Sequence, residues 1–228
     1  MTITSGKPSI AFVSTYPPRE CGIATFTRDL TRAMVMRDHT RQNVIVPIEN
    51  DERRLYPGML YKINQHEQKS YTSASNFLNG SAVDVLSLQH EFGIFGGEWG
   101  EYVLDLCRTL EMPFVTTFHT VLRKPQEKVR RIVREISRMS SKVVVTIESA
   151  AKILERDFGI KHDKIVVIHH GASLPDRQRY VKRQLGLQNR TVLGTHGLIS
   201  SAKGIEFAIK SLPSLVSERP NLLYLVIG

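Results

Sequence analysis

The chain has 228 residues, of which 41% are hydrophobic and 23% are charged, and its formal net charge is +9. This composition excludes intrinsic disorder and collagen-like repeats, and two cysteines without a Cys-x-x-Cys pair exclude a disulfide framework and a cysteine zinc site. Because the sequence shows neither a signal-peptide pattern nor an apolar run of membrane-spanning length, we expect a cytoplasmic protein.

The predicted elements alternate between short apolar strands and helices. Strands are predicted at 9–16, 43–48, 61–64, 83–89, 113–119, 142–147 and 164–169, and helices at 23–38, 70–78, 101–110, 124–142 and 149–158. Ser149 is the candidate cap of the last helix. Strands that are apolar on both faces and separated by helices are typical of a doubly wound parallel sheet with helices on both sides. Ligands bind such sheets beyond the carboxyl ends of the strands.

The alternation predicts three segments. Residues 1–172 form a complete Rossmann-like α/β domain, residues 173–190 a polar and basic linker, and residues 191–228 one further β-α-β unit. A unit of about 38 residues is too small to bury its own faces. We therefore expect the last segment either to pack on the first domain or to begin a second domain whose remainder is missing.

The positive charge is concentrated in residues 123–190, which contain 17 cations and 7 anions. Within them, the helix predicted at 124–142 has Pro125 in its first turn and an apolar stripe at helical spacing. Arginines occupy its opposite side. A solvated outer face is one interpretation, and contact with an anionic membrane surface is the alternative. Because no aromatic residues are interleaved with the arginines, the pattern does not favour a nucleic-acid partner.

Histidines follow several of the predicted strands. They are His90, His119, the pair His169 and His170, and His196. Each one, taken alone, is as consistent with a structural hydrogen bond as with a ligand contact. Glu91 follows His90, but no second histidine stands at the spacing of a helical zinc motif, so we expect no metal.

Glycines mark the strand-to-helix connections. Gly22 lets backbone amides approach an anion at a helix N-terminus, and a simple tight turn is the alternative. The glycine-rich loop around Gly97 displays Trp99, which would stack on a sugar ring or fill a hydrophobic gap. Lys203, just before a predicted helix, would neutralise a phosphate or be an ordinary exposed lysine.

Taken in order, these segments resemble glycosyltransferase family 4, which has the GT-B fold of two Rossmann-like domains. The opening STYPPRECGIATFTRDL resembles the family's first strand, glycine loop and helix, and TTFHT, around His119, resembles its central strand. VVIHHG, around Gly171, resembles the strand that closes the first domain. GLISSAKGIEFAI resembles the first loop of the donor-side domain. Together the four segments span nearly the whole chain.

The resemblance implies transfer of a sugar from a nucleotide-sugar donor to a carbohydrate or lipid-linked acceptor, usually with retention of configuration. It implies no cofactor beyond the donor substrate and no metal. His119 would lie near the donor sugar as the catalytic candidate. The donor and phosphate-binding candidates are Gly22, Lys203, Gly204 and Gly197. The acceptor-side candidates are His90, Glu91, Gly97, Trp99 and His170. Such groups would stabilise the charge that grows on the departing diphosphate.

Two features depart from the family pattern. Leu198 replaces an arginine of the diphosphate loop, and the Glu-x7-Glu donor segment would come after Gly228, where the sequence stops. We therefore expect activity to need a C-terminal half or an oligomer partner that supplies the missing groups. The hypothesis also requires that the amides near Gly22 and the ammonium of Lys203 line one crevice.

Two other functions stay open. One is a non-catalytic module, derived from the acceptor-side domain, that binds a sugar, a lipid headgroup or a partner. The other is a different Rossmann-like enzyme, such as a nucleotide-sugar epimerase or dehydrogenase. The sequence disfavours the second because it lacks both Gly-x-Gly-x-x-Gly and Tyr-x-x-x-Lys.

Overall fold

The computed structural model describes residues 8–38, 43–51, 53–56, 58–172, 181–197 and 199–228. The chain divides into two compact units, residues 1–171 and residues 172–228. The first eight residues of the predicted linker, 173–180, lie outside the described residues, and the rest of that segment contains a one-turn helix.

The first unit is built on a seven-stranded sheet in which every pair of neighbouring strands is parallel. In chain order the strands are β1 (Ile10–Ser14), β2 (Asn43–Glu49), β3 (Ile63–Asn64), β4 (Val85–His90), β5 (Phe114–Phe118), β6 (Lys142–Val145) and β7 (Ile165–Val167). Their spatial order is β3-β2-β1-β4-β5-β6-β7. The direction of winding changes between β1 and β4, which confirms the predicted doubly wound sheet. Ligands of such sheets usually bind outside the carboxyl ends of the strands at this switch point.

Five helices connect these strands: α1 (Gly22–Arg37), α2 (Gln68–Asn79), α3 (Val103–Thr109), α4 (Glu127–Met139) and α5 (Glu148–Phe158). They cover the sheet because each carries buried residues on one side. On α4 the buried apolar residues are Val129, Ile132, Val133 and Ile136, at the helical spacing that the sequence shows. The sheet supplies the facing surface through residues such as Leu86 and Leu88 of β4, which have no exposed area.

Two predicted helix starts are wrong. Pro125 precedes the helix instead of lying in its first turn, because Gln126 is the extended N-cap and α4 begins at Glu127. Ser149 does not cap α5. The N-cap is Ile147, whose backbone is extended (φ −144°, ψ 148°), so the helix already begins at Glu148. The carboxylate of Glu148 instead lies in the first turn, where the helix dipole favours negative charge.

The second unit contains α6 (Val181–Gln184), β8 (Thr191–His196), α7 (Ile205–Glu218) and β9 (Leu222–Ile227). The two strands pair in parallel, which matches the predicted β-α-β connection. Several large apolar side chains of this unit remain exposed, including Phe207 at 69% and Ile199 at 68%. One β-α-β unit is thus too small to bury its own apolar residues.

Gly96 is fixed by a close backbone approach in the loop that follows β4. Its amide donates to the Tyr71 hydroxyl at 2.9 Å, and that hydroxyl donates to the Gln65 carbonyl oxygen at 3.0 Å. A Cβ atom on Gly96 would lie 1.9 Å from the same carbonyl oxygen. The loop therefore packs on the chain before α2 only if residue 96 has no side chain.

A second constraint is the buried carboxylate of Glu49, which is 2% exposed at the end of β2. One oxygen accepts from the amides of Asn50 and Asp51 at 2.8 and 2.9 Å and from Arg54 at 2.7 Å. The other accepts from the Tyr56 hydroxyl at 2.5 Å. Burial raises the pKa of Glu49, but these donors outweigh it and hold the pKa below its usual value.

We predict that Gly96→Ala lowers the free energy of unfolding by about 2–3 kcal/mol, because the new methyl group displaces backbone. Gly93→Ala is the matched control, since a Cβ there meets nothing within 4 Å, and we expect a change below about 0.5 kcal/mol. Urea unfolding followed by the fluorescence of Trp99, the single tryptophan, measures both. Equal midpoints for the two variants would contradict the close approach.

We predict that Glu49→Gln lowers the free energy of unfolding at pH 7 by about 1–3 kcal/mol, because four donors lose their anionic acceptor. A carboxyl group with a lowered folded-state pKa stabilises the protein above its unfolded pKa of about 4.3, and that contribution disappears as the pH falls through the folded pKa. The difference from wild type should therefore shrink toward pH 3. Exposed Glu20→Gln is the control, and a pH-independent difference would exclude ionisation as its cause.

Candidate functional site

All strands of the first unit end at the same edge of the sheet, because they are parallel. The polar residues that end or follow β4, β5 and β7 therefore lie along one rim. There the His119 amide donates to the His90 carbonyl oxygen at 3.0 Å, which extends the β4–β5 ladder by one hydrogen bond. This rim is the candidate site, and it contains His119 and His170 of the sequence-predicted residues.

The imidazole of His119 is held by a fully buried glutamine. Its Nε2 lies 2.9 Å from Oε1 of Gln89, which has no exposed area. The Gln89 amide nitrogen donates to Ser87 Oγ at 2.9 Å, so its oxygen is the atom that faces the histidine. Nε2 must then carry the proton and donate it, which leaves Nδ1 of His119 as a hydrogen-bond acceptor.

His119 is uncharged at neutral pH. Burial and, to a smaller extent, repulsion from the neighbouring imidazole of His170 together lower the pKa of His119 to about 4. The candidate site therefore presents a neutral, oriented imidazole rather than a cation.

Phe26 of α1 joins the helix to the rim. Its ring packs edge-on against His119, with centroids 4.8 Å apart, and against His170, with centroids 4.9 Å apart. Sequence reasoning missed both Phe26 and Gln89. Their signals are weak: Phe26 lies one helical turn after Gly22, and Gln89 is the polar residue just before His90 in an apolar strand.

His90 lies in the core instead of on the rim surface. It has no exposed area, and its ring is enclosed by Phe92, Phe95 and Phe118 at centroid distances of 5.0, 5.4 and 5.0 Å. Neither ring nitrogen has a hydrogen-bond partner among the described residues. Burial lowers the pKa of His90 to about 3. Its side chain therefore has no exposed surface that an acceptor substrate could contact.

Glu91 links the ends of β4 and β5. One carboxylate oxygen accepts from the Thr120 hydroxyl at 2.5 Å, and the other accepts from the Phe92 amide at 3.0 Å. In the following loop, Gly97 is exposed with a φ of 80°, and Trp99 is half-buried with its ring edge-on to Phe92 at 5.9 Å. Glu91 and Trp99 are thus both engaged in packing at the rim.

Gly22 is the exposed first residue of α1, and a Cβ there would meet nothing within 4 Å. Cys21 caps the helix, because its Sγ accepts from the Ala24 amide at 3.3 Å. The first main-chain helical bond runs from the Thr25 amide to the Cys21 carbonyl oxygen. The amides of Gly22 and Ile23 precede it and point along the helix axis toward any anion at this end.

The second unit brings Gly197, Lys203 and Gly204 together. Gly197 and Gly204 have φ values of 115° and 61°, which favour glycine. The ammonium of Lys203 lies 3.2 Å from where a Cβ on Gly197 would be, so the absent side chain makes room for it. Leu198 lies outside the described residues. Gly22 and Lys203 belong to different units, so their common crevice stays a prediction.

Within the described ranges, no three His, Cys, Asp or Glu side chains lie close enough together to hold a metal ion. No helix in those ranges is long and apolar enough to cross a membrane.

The chain matches one family model, described as Glycosyltransferase Family 4, over residues 21–174. No curated protein sequence matches it. Among solved structures, a glycosyltransferase from Rickettsia africae ESF-5 is similar, with a TM-score of 0.63 and 14% identity over 98% of this chain and 69% of that chain.

Two epimerase structures share the same fold. A putative UDP-N-acetylglucosamine 2-epimerase from Listeria monocytogenes has a TM-score of 0.59 and 9% identity over 97% of this chain and 62% of its own. A UDP-GlcNAc 2-epimerase from Neisseria meningitidis bound to UDP-GlcNAc has a TM-score of 0.53 and 13% identity over 96% and 66%. The chain thus spans about two thirds of the length of these structures.

At these identities the structural neighbours establish only the fold. Transferases and epimerases share this fold, so it does not decide between the two activities. The family match extends from the start of α1 past the end of the first unit's sheet, and it includes the rim around His119. The fold is GT-B-like, with one complete Rossmann-like domain and a β-α-β unit of a second, and the chain belongs to glycosyltransferase family 4.

Proposed function

We propose that this chain is part of a glycosyltransferase that moves a sugar from a nucleotide-sugar donor to a carbohydrate or lipid-linked acceptor, with retention of anomeric configuration. The observation that carries the proposal is the neutral His119, held by buried Gln89 at the rim of a family 4 domain. The UDP-GlcNAc bound to one structural neighbour supports a nucleotide-sugar donor. Residues 1–172 act as the acceptor-side domain and residues 191–228 as the beginning of the donor side.

His119 acts on the sugar as a hydrogen-bond acceptor. Positive charge develops on the sugar ring as the bond to the leaving phosphate breaks. A cationic imidazole next to that ring would oppose this charge, whereas a neutral one does not. With Nε2 committed to Gln89, Nδ1 of His119 is the atom that accepts from a sugar hydroxyl.

Lys203 and the N-terminus of α7 stabilise the leaving diphosphate. Lys203 stands just before this 14-residue helix, and its ammonium lies beside Gly197. Negative charge grows on the diphosphate in the transition state, and fixed donors aimed at that charge lower the barrier. The non-catalytic alternative keeps the same site without the chemical step.

We expect release of nucleoside diphosphate when the chain, or a version extended through its following reading frame, is incubated with a panel of UDP-, GDP- and ADP-sugars. His119→Ala should lower kcat/KM about 10- to 100-fold, the usual effect of one buried hydrogen bond to a substrate. His162→Ala, which removes an exposed histidine, is the control. Turnover by neither form contradicts the enzymatic function, and donor binding without turnover favours the non-catalytic module.

Lys203→Ala should weaken the binding of UDP about 10-fold, because it removes a charge-assisted contact with phosphate. Lys210→Ala, within α7 and with its ammonium over the Phe207 ring, is matched in charge and should leave the affinity unchanged. Calorimetric titration of UDP into each variant measures the difference. An equal loss in both variants would assign the effect to net charge and not to the proposed contact.

We predict that His119 titrates near pH 4 and carries its proton on Nε2 above that pH. Nitrogen-15 spectra of the imidazoles measure both properties, and His162 is an internal control because its bond to Glu155 raises its pKa above the usual 6.5. Since the unfolded chain binds a proton at about pH 6.5 and folded His119 does not, its burial costs stability as the pH falls from 6.5 to 4. Titration of His119 near 6.5 would contradict the neutral site.

A further inference from the structure

Most of the positive charge on the first turns of α4 is neutralised within the fold. Lys128 binds Glu98 at 2.6 Å and Glu101 at 2.8 Å. Arg131 lies 3.7 Å from Glu101 and 3.9 Å from Glu135. This part of the helix is therefore an ion-pair network, and its cations are not an open patch for an anionic surface.

The other end of α4 is different, because four cations surround a cavity there. The cavity has a volume of about 410 Å³ and lies between the end of α4, the end of α5 and the segment that leads into β7. It is lined by Arg134, Ser137, Arg138, Phe158, Gly159, Ile160, Lys161 and Lys164. No carboxylate lines it. A concave site walled by one sign of charge concentrates anions.

Two of the four cations make hydrogen bonds within the fold, and these bonds use only some of their donor atoms. Arg134 Nε donates to the Phe158 carbonyl oxygen at 2.7 Å, and Lys164 Nζ donates to the Arg138 carbonyl oxygen at 3.3 Å. These bonds satisfy the ends of the two helices, as basic residues commonly do. Within the described part of the chain, they leave the terminal guanidinium nitrogens of Arg134 and two ammonium protons of Lys164 free to bind a ligand.

The remaining two cations have no such role. Among the residues that the structure describes, neither the Arg138 guanidinium nor the Lys161 ammonium has an acidic partner within 4 Å. The nearby carboxylate of Glu155 is already bound to His162 at 2.6 Å. The cavity thus contains uncompensated positive charge beside the apolar surface of Ile160.

Ser137 supplies a second, independent observation. Its side chain is 1% exposed and lines the cavity, and its Oγ has no hydrogen-bond partner within the described part of the chain. Buried hydroxyl groups are normally paired, so an unpaired one needs an explanation. Because Oγ itself has almost no exposed area, a ligand oxygen would accept the missing hydrogen bond only after the Ser137 side chain turns toward the cavity.

The cavity lies at the opposite edge of the sheet from His119. Helices α4 and α5 both end there, and the strands β6 and β7 that follow them begin there. A ligand bound in the cavity therefore would not compete with one at the rim.

We propose that this cavity binds a phosphoryl group of a small anionic ligand, with the four cations around the phosphate oxygens and the apolar part of the ligand on Ile160. Two guanidinium groups suit this ligand, because their paired donors match the oxygens of a phosphate. The proposal does not depend on the proposed transferase function.

The test is calorimetric titration of inorganic pyrophosphate into the full chain at low salt. Arg138→Ala with Lys161→Ala should weaken binding at least 10-fold, the usual effect of removing contacts to a charged group. Arg123→Ala with Lys152→Ala removes the same charge from exposed positions outside the cavity and should have no more than a twofold effect. Lys203→Ala should also have little effect, which separates the cavity from the proposed donor site.

Ser137→Ala keeps every charge and removes the unpaired hydroxyl, so a change in binding cannot come from lost charge. We expect about threefold weaker pyrophosphate binding with unchanged or higher thermal stability. Wild-type affinity in this variant would contradict the role of the hydroxyl and overturn the assigned site.

Vesicles distinguish a soluble phosphate from a lipid headgroup. Phosphatidylcholine vesicles with and without phosphatidic acid are sedimented with wild type and with both double variants. A soluble ligand is supported if pyrophosphate alone binds and Arg138→Ala with Lys161→Ala weakens that binding. A lipid phosphate is supported if phosphatidic acid vesicles bind and the same double variant weakens that binding. The proposal is overturned if both double variants weaken binding equally, if only Lys203→Ala weakens binding, or if neither probe shows saturable binding.

Discussion

Parallel pairing of the strands is the constraint on which the rest of this structure depends. Because β1, β2, β4 and β5 all run in one direction, every strand ends at the same rim and every helix must return to the other edge. The hydrogen bond from the His119 amide to the His90 carbonyl oxygen is the last of the β4–β5 ladder. It fixes the ends of the two strands, where His90 is enclosed by phenylalanines in the core and His119 is half-buried against Gln89 on the rim.

Burial acts on three ionisable groups at or beneath this edge of the sheet, His90, His119 and Glu49, and the available partners decide the result. His90 and His119 lose their positive charge because few groups replace the water that solvates an imidazolium. Glu49 is as deeply buried but keeps its negative charge, because two amides, a guanidinium and a hydroxyl replace that water. The rim therefore combines the neutral imidazole of His119 with the fixed carboxylate of Glu49, which holds the neighbouring loop.

The two edges of the sheet suit different ligands. The carboxyl edge offers a neutral acceptor at His119 and helix-terminal amides at Gly22, as sugar and phosphate recognition would require. The amino edge offers uncompensated cations around a cavity with an apolar side. The same architecture occurs in transferases and epimerases, so these local groups, together with the family match, are what distinguish this chain from others with its fold.

The sequence by itself determined the parallel doubly wound sheet, because strands that are apolar on both faces can be buried in few other ways. It also placed His119 at a strand end. It could not determine the helix starts, because α4 begins after Pro125 and α5 begins before Ser149. Only the tertiary structure decided that Gln89 holds His119, that Phe26 lies against two histidines, and that four cations from two segments surround one cavity. Such contacts join residues far apart in sequence, where no local periodicity records them.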